Sequence, residues 1–199
     1  MEPDYAAVLA VLRREDAAVR ACVRVGSRVY GTAGPGSDHD FLVVLRDPAA
    51  RKDLLWGPGM NLVVHGAESY ASALASQSIF ALEAHFAPAV HQLKAPAPTF
   101  AYVRDRKKLR AAASERAESD WRKAEKGFAD DPTAARKRAV HALRVLAFAT
   151  QIARGGRIDD FTVARGFAEI VASCTDWPAI EGVFVPLRDG LLAELARLR

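Results

Sequence analysis

Residues 23–46, VRVGSRVYGTAGPGSDHDFLVVLR, are the segment that most constrains the fold of this chain. Residues 19–25 place apolar side chains at every second position, which predicts a strand, and the sequence GTAGPGS predicts a loop. Asp38 and Asp40 follow the loop, and the apolar residues 41–45 predict a second, buried strand. The segment therefore predicts two carboxylates at the start of a strand, with a glycine loop before them.

The spacing of these residues indicates a chemistry. Asp38 and Asp40 are two residues apart, so on a strand both side chains point to the same face. Two such carboxylates repel each other unless a cation lies between them, and Mg²⁺ takes oxygen ligands from carboxylates and phosphates. Gly26 and Ser27 follow the first strand, where a glycine lets backbone N–H groups approach a phosphate. A phosphate-binding turn beside a two-carboxylate metal site suits nucleotidyl transfer.

Composition excludes several classes of protein. The chain has 199 residues, half of them hydrophobic, which is enough for a sizeable core. No apolar run approaches the roughly 20 residues needed to span a bilayer. Cys22 and Cys174 are the only cysteines and indicate neither a disulfide framework nor a zinc site. We therefore expect a cytoplasmic protein with no membrane association.

The positive charge is concentrated in one segment. The net charge is +4, and residues 104–144 contain 13 Lys and Arg against 7 Asp and Glu. Such a segment can mark a phosphate-rich partner such as RNA, or it can be the solvated face of a helix.

The fold class predicted is α/β (α+β), with a small mixed sheet followed by a C-terminal helical module. In the first part we predict a helix over 4–14, a short helix within 46–59, a third strand over 60–66, and a helix over 68–86 that breaks near Gln77. The proline-containing residues 87–100 predict a connection, and we divide the chain into domains 1–98 and 99–199. The second part predicts four helices, over 105–127, 132–154, 159–173 and 186–199.

The opening motif resembles the signature of the DNA polymerase β-like nucleotidyltransferase superfamily. The residues that carry the resemblance are Gly26-Ser27, Gly31 and Ser37-Asp38-x-Asp40 before an apolar strand. The pattern is nearest to the small predicted bacterial and phage nucleotidyltransferases written GSRxYG…SDxD. Two later segments, residues 61–88 and 137–158, resemble the third strand and the helices of that family more loosely.

The resemblance implies a nucleotidyltransferase domain with specific ligands. Asp38 and Asp40 would be catalytic and would hold two Mg²⁺ ions, with Mn²⁺ as an alternative metal, and the substrate would be an NTP such as ATP. The implied nucleotide-binding residues are Gly26, Ser27, Arg28, Ser37, His141 and Arg144. A structural role is the alternative for Arg28, and a structural polar pair is the alternative for His141 and Arg144.

One residue departs from the family pattern. Members with full activity usually carry a third carboxylate on the next strand, where this chain has Asn61. An amide oxygen can ligate a metal but brings no charge, so the departure should weaken chemistry more than nucleotide binding. We include Asn61 among the catalytic residues, and Glu68 or Asp53 is the alternative source of a third acid.

The function predicted is Mg²⁺-dependent transfer of a nucleoside monophosphate from an NTP to an acceptor hydroxyl, with release of pyrophosphate. The sequence leaves the acceptor class open between RNA, especially a tRNA end, a protein hydroxyl and a small molecule. The alternatives are an NTP-binding pseudoenzyme that regulates a partner, and an interaction protein with a fortuitous loop.

Two lesser features are left open by the sequence. Glu83 lies among apolar helix positions and needs a polar partner unless it faces solvent. Trp56, Trp121 and Trp177 are widely spaced and indicate no aromatic stacking platform.

Overall fold

The structure is a computed structural model that describes residues 3–198. The described chain divides into two compact units, one ending at Val103 and the other beginning at Arg104. The first unit holds a five-stranded sheet, and the second unit is built from helices. The chain is thus a mixed α/β protein with a helical second part, which confirms the predicted fold class.

The first unit is organised around a mixed sheet. Its strands are β1 (Val19–Val25), β2 (His39–Leu45), β3 (Asp53–Gly57), β4 (Met60–Gly66) and β5 (Gln92–Lys94). Their spatial order is β3-β4-β2-β1-β5, in which β2 and β4 run parallel and the other neighbours run antiparallel. The strands predicted from alternation and apolar runs are β1, β2 and β4, and all three are confirmed.

Four helices accompany the sheet: α1 (Tyr5–Leu12), α2 (Ser27–Tyr30), α3 (Ala67–Ala75) and α4 (Ile79–Phe86). Asp4 caps α1 by accepting a hydrogen bond from the Ala7 N–H. The predicted break near Gln77 is confirmed, since this residue separates α3 from α4 with a φ of 60°. Its buried side-chain amide donates to the carbonyls of Leu74 and Val103, which offsets the cost of the unusual backbone.

The core fixes which side chains face the candidate site. Phe41 and Leu62 pack with Val8 and Leu12 of α1 in one buried cluster. Because side chains alternate along a strand, the neighbours Asp40 and Asn61 point to the opposite face of the sheet. The α1 helix therefore covers one face and leaves the polar residues on the other.

Two predictions for the first unit were wrong. Residues 46–59 contain the strand β3 rather than a short helix, because a turn at Pro58-Gly59 folds this segment back onto β4. Gly59 adopts a φ of 65°, which suits such a turn. Residues 87–100 contain the strand β5, which pairs with β1. Both strands lie at sheet edges and owe their conformation to partners that local sequence does not show.

The second unit consists of α5 (Arg106–Gly127), α6 (Pro132–Gly155), α7 (Ala164–Ala172) and α8 (Trp177–Arg197). Asp105, Asp131 and Asp176 each accept a hydrogen bond from the backbone N–H three residues later. None of the helices within residues 3–198 is long and apolar enough to cross a membrane. The four predicted helices are confirmed in number and order.

The last helix is longer than predicted. It begins at Trp177 rather than Pro186, which lies inside α8. Trp121 stacks on Phe184 with ring centroids 3.7 Å apart, and Trp177 lies 4.6 Å from Trp121. Two of the three tryptophans therefore share one aromatic cluster, contrary to the expectation that all three are scattered.

Candidate active site

Three neighbouring strands bring the motif residues to one edge of the sheet. Val25, the last residue of β1, pairs with Asp40 near the start of β2. Asp40 pairs in turn with Asn61 near the start of β4. Asp38 lies directly before β2, so the end of one strand and the starts of two others meet here.

Asn61 joins the two carboxylates. Its side-chain Nδ2 donates to Asp40 Oδ1 at 3.0 Å and approaches Asp38 Oδ2 at 3.4 Å. One amide reaches both carboxylates, so Asp38 and Asp40 lie on the same side, as their spacing predicts. The parallel register places Asn61 directly opposite Asp40, and its equivalence to the family's third carboxylate stays a prediction.

Gly26 lies against one of these carboxylates. Its φ of 83° favours glycine, and a Cβ built on it would lie 2.1 Å from Asp40 Oδ2. Both the backbone conformation and the space require a residue without a side chain. The turn that begins α2 is therefore held directly beside the Asp40 carboxylate.

Arg28 and Ser37 organise the glycine loop. The Arg28 Nη2 donates to the Ser37 carbonyl at 2.7 Å, and the Ser37 hydroxyl accepts from the Gly34 N–H at 2.9 Å. The two predicted nucleotide-binding residues thus connect α2 to the loop that precedes Asp38. In the described chain both have contacts that stabilise the loop.

A buried contact that the sequence did not reveal holds α2 in place. The Tyr30 hydroxyl donates to Glu83 Oε2 at 2.5 Å, and Glu83 is only 2% exposed. Glu83 therefore does not face solvent, and it accepts a hydrogen bond from an aromatic residue 53 positions earlier in the chain. An acid in an apolar helix pattern was the one sequence signal for such a contact.

The electrostatics of the site favour a bound cation. Burial raises the pKa of Asp40, and the negative charge of Asp38 adds to the rise, while the hydrogen bond from Asn61 opposes it. The folded protein therefore disfavours the ionised form of Asp40 relative to a free aspartate. A divalent ion would reverse this preference because it stabilises the ionised form.

The alternative third acids lie elsewhere. Asp53 pairs with Val64, three residues along β4 from Asn61, a separation of about 10 Å along the strand. Glu68 lies in the first turn of α3, beyond the opposite end of β4. The expectation that either acid could replace Asn61 is therefore wrong, and the third side chain of this cluster is an amide.

The residues present fit a hard divalent cation. Two carboxylates supply oxygen ligands, and rotation of the Asn61 amide would present its Oδ1 in place of the donating Nδ2. Within residues 3–198 no group of three His, Cys, Asp or Glu side chains is gathered as a metal site. This is consistent with Asn61 as the third member, because Mg²⁺ commonly completes its shell with water and substrate phosphate.

His141 and Arg144 lie on α6 in the second unit. The His141 Nδ1 contacts Asp120 Oδ2 at 2.7 Å, and the Arg116 Nε contacts the same oxygen at 2.7 Å. Burial would raise the pKa of Asp120, but the hydrogen bond and charge of His141, with Arg116, outweigh burial and lower it. Arg144 is buried, with its guanidinium 5.2 Å from the centre of the Phe148 ring. A nucleotide contact by His141 or Arg144 stays a prediction.

Comparison with known proteins identifies the family. A family model described as a nucleotidyltransferase domain matches residues 7–119, more than half of the chain. The chain therefore belongs to the nucleotidyltransferase domain family, and the match spans Gly26, Asp38, Asp40 and Asn61.

A solved structure is similar to this chain at low sequence identity. The crystal structure of a nucleotidyltransferase-like protein from Exiguobacterium sibiricum is similar over 90% of this chain and 68% of that chain, at 12% identity and a TM-score of 0.33. No curated protein matches the sequence.

Proposed function

We propose that this protein is a Mg²⁺-dependent nucleotidyltransferase that transfers a nucleoside monophosphate from an NTP to an acceptor hydroxyl. The observation that carries the proposal is the convergence of Asp38, Asp40 and Asn61 beside the Gly26 turn. Family membership supports nucleotidyl transfer in general, and the oxygen-rich cluster supports a metal of the Mg²⁺ or Mn²⁺ type.

The triphosphate is assigned to the Gly26-Ser27 turn. The N–H groups of Val29 and Tyr30 donate to the Gly26 carbonyl, so the phosphate is assigned to the N–H groups of Ser27 and Arg28, which follow a glycine that admits close approach. The Ser27 hydroxyl adds a donor, and the Arg28 guanidinium lies on the same turn. Because Gly26 lies against Asp40, phosphates held here lie next to the metal-binding carboxylates.

Asp38 and Asp40 would hold the metal, with Asn61 as a neutral third ligand. When bound there, Mg²⁺ would supply positive charge to the triphosphate and lower the pKa of the acceptor hydroxyl. The acceptor oxygen forms a bond to the α-phosphorus, the bond from that phosphorus to the bridging oxygen breaks, and pyrophosphate leaves with the electron pair. An amide cannot take up the hydroxyl proton, so that proton goes to a carboxylate or to water.

Asn61 also supports a second candidate function. The site lacks one negative charge relative to the family pattern, and that charge mainly serves activation of the nucleophile. The second candidate is an NTP-binding pseudoenzyme that regulates a partner. It predicts Mg²⁺-dependent NTP binding without any transfer.

RNA is the acceptor that the charge favours. The chain carries a net charge of +4 with a pI near 9.3, and its basic excess lies in residues 104–144. This supports an acceptor that is rich in phosphate, such as RNA or a tRNA end. Protein hydroxyls and small molecules are the other acceptor classes that the test must include.

The test is a transfer assay with each α-labelled NTP and Mg²⁺ or Mn²⁺, with total RNA, soluble lysate proteins and the small-molecule fraction of a lysate as separate acceptors. The Asp38→Ala/Asp40→Ala variant should lose transfer. Asp53→Ala is the matched control, because it removes an exposed acid from the same sheet away from the cluster. Binding of NTP without transfer would favour the pseudoenzyme. Absence of both, or retained transfer in the double variant, would contradict the proposal.

A further inference from the structure

Trp56 lies next to the candidate site. It pairs directly with Asn61 across the antiparallel strands β3 and β4. Residues directly opposite in such a pair have their side chains on the same face, with Cβ atoms about 5 Å apart. Trp56 therefore lies on the face that carries Asn61 and the two aspartates. Its side chain is unusually accessible for an indole, since Trp56 is 72% exposed.

The order of the strands determines on which side of the carboxylates Trp56 lies. Gly26 follows β1, Asp40 lies on β2, Asn61 on β4 and Trp56 on β3, and the sheet order is β3-β4-β2-β1. With strands about 4.8 Å apart, the triphosphate turn and Trp56 lie on opposite sides of the carboxylates. Displacement at phosphorus is roughly in line, so the acceptor approaches from the side away from the leaving pyrophosphate. Trp56 is on that side.

Trp56 is one of two exposed apolar side chains on this face of β3. Leu54, two residues earlier on the same face of β3, is 49% exposed and extends the apolar surface. An exposed apolar edge strand is normally avoided, so its presence beside a site indicates a binding role. An indole offers a planar surface that stacks on any nucleobase.

We propose that Trp56 stacks on the nucleobase of the terminal nucleotide of a single-stranded RNA acceptor and so holds its hydroxyl toward Asn61 and the aspartates. The inference rests on the proposed nucleotidyl transfer and names its acceptor. Two observations support an RNA end: the position of Trp56 on the acceptor side and its exposed planar ring. Stacking is tolerant of base identity, so unpaired ends should be preferred with little sequence preference.

The test uses a short single-stranded oligoribonucleotide with the fluorescent base 2-aminopurine at its 3′ end, mixed with the whole protein and Mg²⁺ but without NTP. Binding should quench the terminal probe more than the same base placed in the interior. Trp56→Ala should weaken binding about 5- to 100-fold, because stacking of one base is lost. Trp56→Phe should retain part of the affinity.

Two controls separate this stacking from other effects. Val90→Ala removes an 80% exposed apolar side chain near β5, at the other edge of the sheet, and should leave RNA binding unchanged. Binding of a non-hydrolysable NTP analogue should be the same in Trp56→Ala and in the unaltered protein.

Several results would overturn the inference. The first is an unchanged RNA affinity in Trp56→Ala. The second is a Trp56→Ala variant that loses binding of the NTP analogue but keeps binding of RNA, because the base stacked on Trp56 would then belong to the NTP. A change in sedimentation caused by Trp56→Ala would instead place this residue between two copies of the chain. Failure of the proposed function appears differently, as absent nucleotidyl transfer while the terminal probe is still quenched through Trp56.

Discussion

Asp40 and Asn61 lie opposite each other on parallel strands, and the Asn61 amide donates to the Asp40 carboxylate at 3.0 Å. The family resemblance implies a third carboxylate at this position, and its negative charge would repel the other two without a metal. In this chain the amide instead stabilises the aspartates in the metal-free protein. Compared with a carboxylate, Asn61 brings no negative charge to the metal site but donates a hydrogen bond to Asp40.

Replacing the amide tests this exchange directly. Asn61→Asp should increase the affinity for Mg²⁺ and raise any nucleotidyl transfer, because it adds a third anionic oxygen ligand. The same change should destabilise the metal-free protein by about 1 kcal/mol, since three carboxylates then converge. Calorimetric Mg²⁺ titration and urea unfolding in a chelator would measure the two effects. Unchanged Mg²⁺ affinity would mean that Asn61 is not a ligand position.

Gly26 should tolerate no side chain. Gly26→Ala should lower stability by about 2 kcal/mol and abolish NTP binding, because the new Cβ would meet Asp40 at a backbone φ that disfavours alanine. The matched control is Gly34→Ala in the loop that follows α2, where a Cβ would have no neighbour within 4 Å. Thermal unfolding and NTP titration of both variants check the prediction. Equal behaviour of the two variants would contradict the described geometry.

The raised pKa of Asp40 gives stability a pH dependence with a definite sign. Its folded-state pKa lies above the unfolded value of about 3.9, so ionised Asp40 disfavours the folded state as pH rises through the folded pKa. In a chelator, Asp40→Asn should be more stable than the unaltered protein near neutral pH, by up to about 1 kcal/mol. Near pH 4 the difference should disappear.

Urea unfolding across this pH range would follow the effect. Asp40→Asn should also lose Mg²⁺-dependent NTP binding, which separates function from stability at this position. If Asp40→Asn is less stable than the unaltered protein at neutral pH, ionised Asp40 does not destabilise the folded state.

The contact between Tyr30 and Glu83 should position the phosphate-binding turn. Tyr30→Phe removes the hydroxyl that donates to a buried carboxylate and should cost about 2 kcal/mol of stability. It should also weaken NTP binding, because Tyr30 is the last residue of α2. The matched control is Tyr70→Phe, which removes a donor to the neutral Ala81 carbonyl and should cost about 1 kcal/mol. Equal effects of the two variants on NTP binding would contradict a positioning role.

The sequence predicted those helices and strands whose patterns of apolar and capping residues can be read within a short segment. The alternation in β1, the apolar run of β2, and the aspartates that cap the long helices are readable within a few residues. The edge strands β3 and β5 were missed, since each depends on pairing with a neighbour and carries a weak apolar pattern. Strand propensity is decided largely by such tertiary partners.

The candidate site shows the same division. The sequence motif placed Asp38 and Asp40 together, and the resemblance placed Asn61 with them, as the parallel register now does. Trp56 could not be found this way, because its relation to Asn61 depends on the hairpin that was predicted as a helix. Tyr30, which donates to Glu83, lies on a different helix 53 residues away, and no periodic pattern in the sequence predicts that contact.

The most direct measurement of the central claim is calorimetric binding of a non-hydrolysable NTP analogue with and without Mg²⁺. We expect Mg²⁺-dependent binding in the unaltered protein and in Asp53→Ala, and its loss in Asp38→Ala/Asp40→Ala. Binding that persists unchanged in the double variant, or that does not depend on Mg²⁺, would contradict a metal and nucleotide site at the edge formed by β1, β2 and β4.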